Sequence, residues 1–136
     1  MTRLRVAGVL AGLLLAGALV GWGRANPAIR TVTITIHFSH FSTSQIDVRP
    51  GETVRFVIDN TDPIDHEFII GGQHVQQVHE KGTEPSHGAK PGEVSVPAGT
   101  TQVTTYTFPD SVGQLEFACH LPGHYAYGMH GLLLIR

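Results

Sequence analysis

A polar–apolar alternation with period two constrains this chain most. Residues 31–38 read Thr-Val-Thr-Ile-Thr-Ile-His-Phe, changing polarity at every step, and residues 53–60 read Thr-Val-Arg-Phe-Val-Ile-Asp-Asn, with Val54, Phe56 and Ile58 at alternate positions. Successive side chains of an extended chain point to opposite faces, and the pattern therefore specifies half-buried strands rather than helices. Val32, Ile34, Ile36 and Phe38 are expected to face a core from the first segment, and Val54, Phe56 and Ile58 from the second. His37 and His40 are expected at the surface. Shorter strands are predicted at 45–48, 66–70, 93–96, 102–108 and 115–119, separated by turns at Pro50-Gly51, Asn60-Thr61-Asp62-Pro63, Pro97-Ala98-Gly99 and Pro109-Asp110-Ser111. Residues 131–136 are apolar enough to read as a final strand buried on both faces. About seven short strands with almost no helical pattern predict an all-β, two-sheet sandwich.

The first 25 residues stand apart from that pattern. Arg3 and Arg5 precede an uncharged apolar run at 6–22, the layout of an export signal, with a small-residue cleavage site at Gly23-Arg24-Ala25. The run has 17 residues, the lower limit for spanning a bilayer, so a retained membrane anchor is the second outcome. Either one puts the body of the chain outside the cytoplasm: periplasmic, secreted, or anchored on the outer face. The remainder, 30–136, is a single domain. Without Arg3, Arg5 and Arg24 the chain keeps 6 of its 9 basic side chains against 11 acidic ones, a formal charge of −5. That balance argues against a nucleic-acid partner.

A lone cysteine, Cys119, cannot form an internal disulfide, and an unpaired thiol in an oxidising compartment is a liability unless something occupies it. Its neighbours suggest what does. The stretch Cys119-His120-Leu121-Pro122-Gly123-His124-Tyr125-Ala126-Tyr127-Gly128-Met129 places an imidazole five residues after the thiol and a thioether five residues after that. Pro122 and Gly123 favour a turn that lets Cys119 and His124 converge. A soft thiolate, an imidazole and a weak sulfur donor suit a mononuclear copper site once a second imidazole arrives, and His66, where a loop enters a strand, is the candidate. Asp65 and Glu67 flank it and are candidates to orient it.

These residues resemble the cupredoxins, the small blue-copper proteins that include plastocyanin, azurin and auracyanin. The likeness covers nearly all of 30–136. Val48-Arg49-Pro50-Gly51-Glu52-Thr53-Val54 is similar to the family's early strand and turn, residues 60–66 to its first ligand loop, and 119–129 to its second. The resemblance implies a Greek-key β-sandwich binding one type 1 copper through His66, Cys119, His124 and Met129. It further implies a monomeric, non-enzymatic carrier of single electrons between redox partner proteins. Two features depart from the family pattern. Four residues separate Cys119 from His124, more than in plastocyanin-like loops, and residues 71–92 form a long insertion carrying His74, His79 and His87. Residues 73–80 of this insertion have room for a turn or two of helix. The three histidines support an alternative function, copper binding and tolerance outside the cytoplasm with additional copper captured by the insertion.

Two other readings are weaker. Multicopper oxidases share the Cys-His start of the loop, but here Ala118 precedes the cysteine and no His-x-His pair occurs. His120 is therefore expected to point away from the metal. Tetrahedral zinc would accept a thiolate and two imidazoles but leaves Met129 without a role.

Overall fold

A computed structural model describes residues 28–82, 86–88 and 90–136. The expected export or anchor segment, 1–25, lies outside the described residues, among which no helix is long and apolar enough to cross a membrane. The elements in chain order are β1 (Arg30–His37), β2 (His40–Phe41), β3 (Gln45–Val48), β4 (Thr53–Asn60), β5 (His66–Gly71), α1 (Gln73–Glu80), β6 (Glu93–Val96), β7 (Thr101–Thr107), β8 (Gly113–Ala118) and β9 (His130–Ile135). They form two sheets, one ordered β2-β1-β4-β7 and the other β3-β9-β8-β5-β6. β1 runs parallel to β4 and β3 parallel to β9, while the other neighbours are antiparallel.

The predicted alternation builds the core. Ile34, Ile36, Val54, Phe56 and Ile58 from the first sheet meet Phe68, Phe117 and Leu133 from the second, and none of the eight has any exposed surface. Phe68 lies between Phe56 and Phe117, 5.4 Å from each ring. Each such side chain contributes about 1.5–3 kcal/mol by leaving water, and together they hold the sheets face to face as a β-sandwich.

Phe38 is not part of this core. β1 ends at His37, and Phe38 and Ser39 take up left-handed backbone conformations, with φ of 51° and 55°, to make the two-residue turn into β2. Such hairpin turns match strand twist but normally recruit Asn or Gly. Phe38 is left 78% exposed, and Phe41 takes the inward place, edge-on to Phe68 and Phe117. β9 is also less enclosed than its composition suggests. Gly131, Leu133 and Ile135 are buried, but Leu132 and Leu134 are only partly so, because α1 packs chiefly over β5 and β8.

β5 is buried along its whole length, one face on the core and the other under α1. The helix approaches so closely that a β-carbon on Gly71 would sit 2.4 Å from that of Val75. Strand and helix together cover the ends of β5 and β8, where His66, Glu67, Cys119 and His120 lie.

Candidate metal centre

Alternation along β5 and across the end of β8 sorts these four residues between two faces. Phe68, Phe117 and Cys119 belong to the inner core cluster, and His66 shares the parity of Phe68. Glu67 and His120 take the outer face toward α1, where the His120 ring meets Gln76.

On the inner side the ends of three segments converge. His66 Nδ1 lies 3.2 Å from His124 Nδ1, which lies 3.2 Å from Cys119 Sγ. The three donor atoms all fall within 4.8 Å of one another. Cys119 and Met129 have no exposed surface, and the His66 side chain has none either. The second ligand loop is closed by its own backbone: Met129 N–H donates to His124 O at 3.0 Å and Cys119 N–H to Met129 O at 3.1 Å. Gly128, with φ of 92°, supplies the left-handed step that turns the chain back into β9. All four residues expected at the site are thus brought to the same end of the sandwich.

The first ligand loop is held by residues that the sequence reading did not single out. His66 Nε2 donates to Asp62 Oδ2 at 2.9 Å, which fixes the tautomer and leaves Nδ1 with its lone pair toward Cys119 and His124. The two Asp62 oxygens also accept the N–H groups of Phe38 and Ser39 at 2.7 Å each, so the strained β1–β2 turn and the histidine share one anchor. Burial opposes ionisation of Asp62, but the N–H groups of Ser39 and Phe38 and the His66 ring outweigh it and hold the carboxyl below its ordinary range. Asn60 fastens the same loop: its amide nitrogen donates to the carbonyls of Ile64, Val96 and Pro97, and its oxygen accepts Asp62 N–H. The orienting residue is therefore Asp62, four positions before His66, and neither flanking acid does this work. Asp65 instead accepts Ala98 N–H, and Glu67 points to the other face. The signal available in sequence was the Asn-x-Asp turn itself, whose short side chains bond back to nearby backbone.

The donor set fits copper. Glu67 N–H points at Cys119 Sγ from 3.4 Å, a contact that favours the thiolate. Burial, with a smaller push from the Glu67 charge, raises the Cys119 thiol to about 11 against the opposing Glu67 and Leu121 N–H groups. A buried cysteine of that kind becomes a thiolate when a metal takes the place of its proton. His124 is held below the ordinary imidazole range by burial and by the neighbouring His66 ring, which suits a neutral ligand. A thiolate and two neutral imidazoles converging beside a buried thioether match the trigonal sulfur–nitrogen set that selects copper.

A family model for copper-binding proteins of the plastocyanin/azurin family matches residues 30–136. The chain belongs to that family. Among curated proteins this cupredoxin is 37% identical over 118 residues to the copper-resistant cuproprotein CopI of Rubrivivax gelatinosus, a match covering 84% of this chain and 71% of that protein. It is 29% identical to the protein of the same name from Pseudomonas aeruginosa, over 83% of this chain and 80% of that one. Among solved structures, the reduced auracyanin of Roseiflexus castenholzii superposes with a TM-score of 0.65 at 23% identity, covering 78% of this chain and 96% of that one, which supports the fold. Copper is the cofactor of this family.

The insertion histidines separate. His74 is exposed on α1, whereas His79 and His87 pack with ring centroids 5.0 Å apart. Tyr125, in the second ligand loop, turns away from the site to stack between His120 and His130, and its hydroxyl donates to Glu116 Oε1. Tyr127 is left 79% exposed.

Proposed function

We propose that His66, Cys119, His124 and Met129 hold a type 1 copper ion, and that the protein uses it outside the cytoplasm to exchange single electrons in the service of copper tolerance. The convergence of buried Cys119 Sγ and His66 Nδ1 with half-buried His124 Nδ1 carries this reading. Copper bound there supplies a Cu(I)/Cu(II) couple that the mixed sulfur–nitrogen set can hold in both states. The residues around the site keep it from rearranging: Asp62 fixes the His66 ring, Asn60 fixes Asp62, and Glu67 N–H bonds the sulfur. His124 is the half-buried member of the set, so electrons leave through its edge. Leu121, Pro122 and Tyr127 flank that edge and form the surface that meets a redox partner protein. The protein acts as a monomer and a carrier rather than an enzyme. Its N-terminal residues direct export or anchor it to the outer face of a membrane.

The tolerance role rests on the relatives named copper-resistant cuproproteins, and the redox role on the site. One experiment addresses both. The full chain is loaded with Cu(II), its visible spectrum recorded, and its reduction followed by voltammetry, while cells lacking the gene are grown in graded copper. The expected results are an intense thiolate-to-copper band, a reversible one-electron wave, and growth failing at lower copper than in the parent strain. A colourless protein would overturn the type 1 assignment. A coloured protein without a reversible wave would overturn electron exchange, and unchanged growth would overturn the tolerance role.

A further inference from the structure

The outer face of β5 and β8 carries a second set of ligating groups. His79 from α1, His87 from the segment after it, and Glu93 at the start of β6 bring one donor atom each within 4.8 Å of one another. Their side chains are only 6%, 4% and 12% exposed. His79 Nε2 is 3.5 Å and His87 Nδ1 3.8 Å from Glu93 Oε2.

The partners on the far side of each ring decide what faces inward. His79 Nδ1 lies 2.8 Å from Val75 O, and a carbonyl only accepts, so Nδ1 carries a proton and Nε2 is the ring atom that faces Glu93. His87 stands between two carboxylates, with Nε2 3.3 Å from Glu67 Oε2 and Nδ1 turned to Glu93. His120 repeats the arrangement of His79. Gln76 spends its NH₂ group on the carbonyls of Ile69, Gly71 and Glu116, so its oxygen must accept from His120 Nε2 at 2.7 Å. Nδ1 of His120 is then the unprotonated atom, and its ring stands 6.2 Å from that of His79. Nε2 of His79, Oε2 of Glu93 and Nδ1 of His120 are all buried without a hydrogen-bond partner among the described residues.

Ring nitrogens gathered around a carboxylate oxygen in a buried place need protons or a cation between them. Lys90 Nζ lies 3.5 Å from Glu93 Oε2 on a side chain that is 60% exposed, so it meets the carboxylate from the rim. His79 and His120 each turn their other ring nitrogen to a carbonyl or an amide oxygen, the arrangement that orients histidines toward a metal. We propose that His79, His87 and Glu93, with His120 as the fourth donor, form a second metal site for a borderline divalent cation, Zn(II) or Cu(II). Three nitrogens and one oxygen suit either ion, and no thiolate is present to favour Cu(I). The site is separate from the thiolate site yet tied to it. Glu67 bonds Cys119 Sγ through its N–H and His120 N–H through Oε1 at 2.8 Å, and its Oε2 lies 3.3 Å from His87 Nε2.

The test uses the full chain without an affinity tag, titrated with Zn(II) and with Cu(II) under calorimetry, with the visible thiolate band monitored in parallel. Two equivalents are expected in the parent protein. His79→Ala and Glu93→Gln should each lose one equivalent and keep the visible band, and Gln76→Ala should weaken that equivalent by roughly 10- to 100-fold by releasing His120. A second equivalent taken from Cu(II) with a nitrogen- and oxygen-ligated paramagnetic signal identifies copper. One taken only from Zn(II) identifies zinc, and both outcomes support the site. A single equivalent in the parent protein, or a second one that survives in both His79→Ala and Glu93→Gln, overturns it. Because the band reports on Cys119 alone, failure of the second site is distinguishable from failure of the type 1 assignment. Thermal melting of the metal-free variants guards against mistaking unfolding for loss of a ligand.

Discussion

The two faces at the end of β5 and β8 use adjacent residues for opposite chemistry. His66 and Cys119 face inward with Met129 and are enclosed by the aromatic core of the sandwich, whereas Glu67 and His120 face outward beneath a helix of 8 residues. The inner donors are soft or neutral and sit where rearrangement would disturb both sheets. The outer donors are nitrogen and oxygen on a helix, on the segment after it and at the start of an edge strand. A period of two along a strand thus places two unlike sites a single residue apart in sequence, and the enclosure of each sets how rigid it is.

The sharpest way to separate the faces is Cys119→Ser. A serine hydroxyl of similar size keeps the packing but removes the sulfur whose charge transfer to copper gives colour, so the visible band should vanish entirely. Metal uptake by the outer face should be retained. A full band in Cys119→Ser would remove the inner site from the end of β8.

Phe117→Ala tests the enclosure itself. Phe117 has no exposed surface, touches Phe41 and Phe68, and directly precedes Ala118, the last residue of β8 before Cys119. Its truncation should cost about 3–5 kcal/mol of global stability. Gln76→Ala on the outer face breaks hydrogen bonds under the helix and should cost about 1–3 kcal/mol. Denaturant unfolding of both variants checks the ordering, and equal costs would mean that the outer face is as integral to the sandwich as the inner one.

Asp62 links the inner site to backbone strain. Asp62→Ala leaves the N–H groups of Phe38 and Ser39 and the ring N–H of His66 without their acceptor. A loss of roughly 1–3 kcal/mol in stability is expected, with copper affinity falling about 10- to 100-fold as the ring loses its orientation. Asp65→Ala, which removes the same carboxylate from the same loop, should leave copper affinity unchanged. Titration of both variants with copper decides between them.

How much of this was legible in sequence follows the same division. The inner face could be read because period-two strands announce their buried side and because a thiol, an imidazole and a thioether at fixed spacing have few other uses. Phe38 was misplaced because the alternation continues through it while the backbone does not: the strand stops one residue earlier, in a turn that no Gly or Asn marks. Asp62 and Asn60 were visible only as turn formers, since a side chain's reach to a ring or to three carbonyls is a property of the folded loop. The outer cluster was legible least. His79 and His87 stand in a segment without periodicity, Glu93 reads as an ordinary strand residue, and only the packing of α1 on β5 brings them together.

The smallest effect is the one that distinguishes positioning from ligation within the inner site. Met129 is buried in the same cluster as Cys119, and its backbone ties His124 to Cys119 whatever its side chain. Met129→Gln keeps those backbone bonds and a side chain of similar length, so copper should remain bound with its thiolate band. An amide oxygen is a harder donor than a thioether and favours Cu(II), so the reduction potential should fall. Voltammetry of the variant beside the parent protein measures the change. An unchanged potential would mean that Met129 serves the site through its backbone and its packing alone, which would leave three donors on the inner face and bring the two faces closer in kind.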